Sequence, residues 1–300
     1  MVMNQKIIKM GRVTFLGRPN TGKSTLLNTI MQQKVAITSP LPQTTRKTNQ
    51  VVYSSDKGQL ILTDTPGVFH KVEDQVSKKV NLEAPKSVLR ADVVVVVVDI
   101  SRPKNEEENK AIGLARKSSG KKVLVYNKID VAKGKKNHIA DYNYLEDEFD
   151  RVVSVSALKG TNVKDLINKI YELLPETTNQ DIQKDIKALS SNKGPVISLP
   201  STEFVAEIIR EKAYLFLREE LPYTINVVVN RIIDKKKLLV VEANILTTDP
   251  RYRKMIVGAN GRKIKEIGYN ARKELELMSG RKIFLDLEVV VDSHWPERIV

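Results

Sequence analysis

Cysteine is absent from the chain. That excludes disulfides, thiolate zinc sites and a cysteine nucleophile, and it suits a reducing cytoplasm. Aromatic residues are scarce at 5%, with one tryptophan, and no Trp/Phe-rich amphipathic helix supports stable membrane insertion. Long apolar runs are missing too. The most hydrophobic stretch, Val93 to Val98, is bounded by Asp92 and Asp99 and is far too short to span a bilayer. The N-terminal residues, Met1 to Ile8, lack an apolar core with a cleavage site, so no signal peptide is expected.

What is abundant is positive charge. The net charge of +14 and pI of about 9.6 point to a polyanionic partner, either nucleic acid or an anionic membrane surface. A solvated Lys-rich surface is the bland alternative. A chain of 300 residues with 41% hydrophobic content can build two ordinary domains with real cores.

The first half alternates short β-branched runs with helical patterns. Strands are expected at 11–16, 49–54, 59–63, 93–99, 122–126 and 151–155, and helices at 23–31, 76–89, 105–117, 139–149 and 163–174. This order predicts an α/β domain with a mostly parallel sheet covered on both faces. Ser55-Asp56-Lys57-Gly58 joins two of these strands closely enough for a hairpin, so one edge should be antiparallel. After Leu174 the pattern breaks into a polar linker with a short helix at 181–189. From residue 203 the order becomes helix, strand, strand, helix, Gly-turn, helix, strand: an α+β domain. The expected division is an α/β domain at 1–175, a linker at 176–202 and an α+β domain at 203–300.

Gly17-Arg18-Pro19-Asn20-Thr21-Gly22-Lys23-Ser24 has P-loop spacing, follows a strand and opens a helix. Its backbone N–H groups can face phosphate oxygens. Lys23 would reach the β- and γ-phosphates, and Ser24 would ligate Mg²⁺. Asp64-Thr65-Pro66-Gly67 ends an apolar strand. There Asp64 can hold Mg²⁺ through water, and the Gly67 N–H can meet the γ-phosphate. Asn127-Lys128-Ile129-Asp130 follows another strand, and the Asp130 carboxylate can accept both guanine N1–H and the exocyclic amine. Adenine offers no such donor pair. Ser156-Ala157-Leu158 ends the next strand and could offer an N–H to guanine O6. In Gln43-Thr44-Thr45-Arg46 a hydroxyl, Thr45 in preference to Thr44, could complete the Mg²⁺ sphere. These elements bind GTP and GDP when assembled at the carboxyl ends of strands.

The four motifs resemble those of translation-factor-type small GTPases. Gly-Arg-Pro-Asn, Gln-Thr-Thr-Arg and Asp-Thr-Pro-Gly resemble the Era family in particular. Val68 stands where Ras-type enzymes place a water-orienting glutamine. The resemblance therefore implies slow hydrolysis by another route, with no general base nameable from sequence and Thr45 and Asn20 as the catalytic candidates. It also implies a K⁺ held near the phosphates by Asn20. Thr21 replaces the usual valine of the family, a tolerable change because its side chain need not touch phosphate.

Gly258-Ala259-Asn260-Gly261 is a GxxG turn. A lone GxxG carries little weight; its setting between Arg251-Tyr252-Arg253-Lys254 and Arg262-Lys263-Ile264-Lys265 carries more. A helix–GxxG–helix unit between strands is the arrangement of a KH domain, which clamps single-stranded backbone. The candidate RNA contacts are Gly258 to Gly261, Arg262, Lys263 and Lys265. Residues 206–212, 221–223 and 265–268 resemble the KH domain of the Era family. That resemblance implies binding to the 3′ end of small-subunit ribosomal RNA and assistance to small-subunit maturation, favoured by GTP, in a cytoplasmic monomer. The linker lacks the acidic family pattern. The chain ends at Val300, soon after Trp295, so RNA contacts from the longer family tail are not assumed. A second class is a GTPase switch whose basic domain meets a protein partner or anionic lipid at the inner face of the cell membrane. A third, an RNA-modifying enzyme, is disfavoured: the second domain has no cysteine, no cofactor fingerprint and only His294.

Overall fold

The computed structural model describes residues 9–39, 41, 44–46, 48–68, 84–132, 137–176, 179–192 and 201–298. The chain divides into two compact units, Met1–Ser191 and Asn192–Val300.

The first unit is built on a six-stranded sheet. In chain order its elements are β1 (Lys9–Leu16), α1 (Lys23–Met31), β2 (Asn49–Ser55), β3 (Gly58–Asp64), a helical segment α2 at 84–89, β4 (Val93–Asp99) and α3 (Glu106–Arg116). There follow β5 (Lys121–Asn127), the single turn α4 (Ile129–Ala132), β6 (Arg151–Ser154), α5 (Val163–Leu173) and α6 (Gln180–Asn192). The strand order is β2-β3-β1-β4-β5-β6, and only β2 runs antiparallel to its neighbour. The unbroken valine run is explained by burial on two faces. Val93, Val95 and Val97 pack with the α1 and α5 side chains, while Val94, Val96 and Val98 pack with α2 and α3. Each fully buried valine contributes on the order of 1.5–3 kcal/mol.

Two segments differ from the sequence expectation. The helix expected at 139–149 is a pair of 3₁₀ turns, Ile139–Asp141 and Asn143–Glu148. Three residues per turn align Tyr142 and Leu145, both fully buried, on one side. The helix expected at 181–189 is present as α6, longer than expected, and it packs on the first unit rather than standing in a linker. Its Ile182 and Ile186 pack on Met10 and Ile61, and Asp185 accepts two bonds from Arg12 at 3.2 and 2.7 Å. α6 thus belongs to the first unit. Most of the helix expected at 76–89 lies outside the described residues.

The second unit has a three-stranded sheet, β7 (Ile225–Lys235), β8 (Leu238–Thr247) and β9 (Lys282–Val291), in the order β7-β8-β9. β7 and β8 are antiparallel; β8 and β9 are parallel. The crossover from β8 to β9 carries α8 (Pro250–Val257) and α9 (Arg262–Ser279), and α7 (Thr202–Phe216) precedes the sheet. Burial alternates along β8, with Leu239, Val241, Ala243 and Ile245 inward. The helices answer with Val205, Ile208, Ile209, Ile267, Ala271 and Leu275. Among the described residues no helix is long and apolar enough to cross a membrane.

Candidate functional site

A cleft of about 220 Å³ opens at the carboxyl ends of β1, β3 and β5, lined among others by Asn20, Lys23, Ser24, Thr45, Gly67 and Lys128. Gly22, at φ 97°, is the residue from which α1 starts, and no side chain caps that helix. The first N–H groups of α1 therefore remain to be satisfied at the cleft, where an anion would meet them. A Cβ on Gly22 would lie 2.3 Å from Asn127 Nδ2, so only glycine fits there. Lys23 Nζ donates to the carbonyls of Gly17 at 3.1 Å and Arg18 at 3.0 Å. Burial lowers its pKa to about 8, with the Asp64 charge opposing.

Asp64 is fully buried. Its Oδ2 accepts a 2.5 Å bond from the Ser24 hydroxyl, and its Oδ1 is buried without a hydrogen-bond partner. Burial raises its pKa to about 6, against Lys23 and the Ser24 bond. Thr45 Oγ1 lies 3.1 Å from Ser24 Oγ. Three oxygen groups therefore converge beside an unsatisfied carboxylate oxygen, a donor set suited to a hard divalent cation. Thr44 is turned elsewhere, donating to Leu41 O and paired with Ser39 Oγ, each at 2.7 Å. Gln43 lies outside the described residues.

The remaining motif residues are braces as much as contacts. Thr65 Oγ1 donates to Phe15 O at 2.6 Å, and Pro66 is buried. Gly67 abuts Pro19, whose backbone N would lie 2.7 Å from an added Cβ. The next residue, Val68, is buried in the core with Leu16 and Val88, so this valine faces away from the cleft. Asn127 bridges the loops: Nδ2 donates to Thr21 O at 2.7 Å, and Oδ1 accepts from Ala157 N at 2.9 Å. Thr21 Oγ1 donates within the loop to Arg18 O. Asp130 Oδ1 accepts from Ser156 Oγ at 2.6 Å, fixing the carboxylate expected to read the base.

Glu108, Asp99 and Arg102 escaped the sequence reading. Arg18, expected within the phosphate-binding loop, turns its side chain into a buried ion pair with Glu108 at 3.1 Å, leaving its backbone in the loop. Burial lowers the Arg18 pKa and raises that of Glu108, each opposed by the other's charge. Glu108 also completes the capping box of α3 with Asn105. Arg102 donates to Pro19 O at 2.8 Å and pairs with Asp99, which also receives Lys128 Nζ at 2.7 Å. Burial pushes the Asp99 carboxyl up, but Lys128 and Ser101 hold it below its usual range. The Asp99–Arg102 stretch ends a buried strand on the cleft side; that position is the signal that marks it in the sequence.

In the second unit the GxxG turn joins α8 to α9. Gly258 (φ 72°, ψ 174°), Asn260 (φ 52°) and Gly261 (φ 74°) all take positive φ. The turn is thus a folded concavity of backbone amides. Arg253 Nε donates to Val289 O at 3.0 Å, tying α8 to β9. Arg251 is paired with its own N-cap, Asp249. Arg262, Lys263 and Lys265 lie on the first turns of α9, next to the GxxG backbone.

Residues 12–128 match the family of 50S ribosome-binding GTPases, and residues 220–296 match the KH domain. GTPase Era of Borreliella burgdorferi is 35% identical over 291 residues, covering 96% of each chain. GTPase Era of Thermotoga maritima is 36% identical over 295 residues, covering 97% of this chain and 94% of its own. Two solved structures superpose over 97% of this chain at 31% identity. One is an Aquifex aeolicus Era variant bound to GDP·AlF4⁻, with a TM-score of 0.83 and 97% of its chain covered. The other is Era in complex with MgGDPNP and nucleotides 1506–1542 of 16S ribosomal RNA, with a TM-score of 0.84 and 96% covered.

Proposed function

The chain belongs to the Era family of GTPases, and from that premise we propose a GTP-driven switch that binds the 3′ region of small-subunit ribosomal RNA and assists assembly of the small ribosomal subunit. The observation that carries this reading is the pairing, in one chain, of a phosphate cleft with a GxxG turn flanked by cations. Lys23 and the N–H groups at the start of α1 would hold the phosphates. Asp130, fixed by Ser156, would select guanine over adenine. Ser24, Thr45 and Asp64 would hold Mg²⁺. When bound, that ion neutralises charge building on the β- and γ-oxygens. Asn20 lines the cleft, and we assign it to a K⁺ beside the phosphates.

The Gly67 N–H meets the γ-phosphate only in the GTP state, so nucleotide identity is read where the chain turns from β3 toward α2. The second unit would clamp single-stranded RNA between the GxxG turn and its cations. The protein would work as a cytoplasmic monomer. Co-sedimentation with isolated small ribosomal subunits in the presence of a GTP analogue tests the reading. Binding to subunits and not to anionic vesicles supports it. Binding to vesicles alone would move the basic domain to the inner face of the membrane.

A further inference from the structure

The solvent face of α9 carries more charge than the GxxG turn uses. At about 100° per residue, Arg262, Lys265, Tyr269, Arg272 and Lys273 fall on one stripe. That stripe lies opposite the buried Ile267, Ala271 and Leu275. All of its residues are exposed. Tyr269 is 55% exposed, and the Arg272 guanidinium sits 5.7 Å from its ring centroid. Core packing does not account for a tyrosine so placed. The helix spans 18 residues, about 27 Å, so the stripe extends well past the turn.

The balance of charge on this helix is one-sided. Among the described residues, Arg262, Lys265, Arg272 and Lys273 form no ion pair with a carboxylate. The carboxylates of α9 are mostly engaged elsewhere: Glu274 pairs with Lys212, and Glu276 accepts from Ile283 N at 2.9 Å. Glu266 flanks the stripe, and Glu276 falls within it with one oxygen already held by Ile283 N, so five stripe residues carry four cations against these two carboxylates. Cations left unpaired around an exposed aromatic ring suit a phosphate backbone with a base that can stack. A protein partner would have to offer acidic groups at the same spacing; single-stranded RNA offers them by construction.

We infer that the Arg262–Lys265–Tyr269–Arg272–Lys273 stripe is a second RNA-contact surface, continuing the path of a strand held at the GxxG turn, with phosphates on the cations and a base on Tyr269. This rests on the RNA-binding reading of the second unit. Beyond the groove's four nucleotides, the stripe takes further residues of the same strand, with contacts that are sequence-tolerant because every base has a face to stack.

The test compares two RNAs copying the small-subunit 3′ end: one of roughly six nucleotides, sufficient for the groove, and one extended well beyond it at both ends. The full chain, Tyr269→Ala and Arg272→Gln/Lys273→Gln are titrated with each across a salt series. All are checked for unchanged GTP turnover and unfolding temperature. The stripe predicts that the wild-type chain binds the longer RNA more tightly. Tyr269→Ala should weaken that binding about tenfold and leave the short RNA unaffected. The double variant should lower the salt slope for the longer RNA by roughly 1.4, about 0.7 per lost phosphate contact. Equal binding of the longer RNA by all three proteins would overturn the stripe and leave the groove intact. No RNA binding by the wild-type chain would overturn both.

Discussion

Asp64 shows how a single residue is held ready for a metal. Burial raises its pKa to about 6, well above that of a free carboxyl. Without a cation, the folded chain binds a proton that the unfolded chain has already lost between pH 4 and 6. Metal-free stability should therefore fall as pH rises through that window and level off above it. The roughly two-unit shift corresponds to about 3 kcal/mol as an order of magnitude. Asp64→Asn should make the chain more stable in EDTA at pH 7 and abolish the stabilisation that Mg²⁺ with GTP gives the wild type. Thermal unfolding with and without Mg²⁺ and nucleotide reads both effects. A variant that is less stable in EDTA would contradict the assignment. Glu108 offers a second test at this scale. Glu108→Gln retains an N3 side chain for the α3 cap but leaves the buried Arg18 charge unpaired. Breaking a buried pair from one side costs roughly 3–5 kcal/mol, and denaturant unfolding should show a loss of that order. A loss below about 1 kcal/mol, typical of an exposed pair, would mean that Arg18 finds another partner.

At the scale of elements, the GxxG turn is the most demanding piece of backbone. Gly258 combines φ 72° with ψ 174°, a region open essentially to glycine alone, and an added Cβ would lie 3.0–3.2 Å from Lys263 atoms. Gly258→Ala should cost about 1–3 kcal/mol and weaken RNA binding, while leaving GTP turnover in the first unit unchanged. Lost GTP turnover would show that the two activities are not separable in this way. The same scale shows what the sequence could and could not say. The P-loop, the Asp64 turn and the Asn127–Asp130 loop were legible because glycine, lysine and aspartate in fixed order have few other uses beside apolar strands. Glu108 was not legible, since a glutamate near a helix start reads as a solvated charge until the fold buries it; Arg102, still partly exposed, was marked only by its place just after a buried strand. The 3₁₀ turns around Tyr142 and the docking of α6 were hidden for a related reason. Both depend on which neighbour a side chain packs against, Tyr142 beneath α3 and Ile182 on Met10. Periodicity within a segment does not record that.

At the scale of the whole molecule, composition and architecture agree. A net charge of +14 sits on a chain whose second unit leaves cations unpaired along α9, so association with RNA should weaken steeply with salt. Val68, at the position where Ras-type enzymes place a water-orienting glutamine, is buried. With a cation held by Asn20, GTP turnover should be faster in KCl than in NaCl at equal ionic strength; equal rates would remove K⁺ from the account. The central claim is that one chain couples a nucleotide switch to RNA. Its most direct test is the affinity for single-stranded RNA of the small-subunit 3′ end, measured with GDP and with a GTP analogue across a salt series. The account predicts tighter, sequence-selective binding in the GTP-analogue state, lost in Lys263→Glu/Lys265→Glu. Weak binding that follows salt alone, with no dependence on nucleotide or on those lysines, would contradict it.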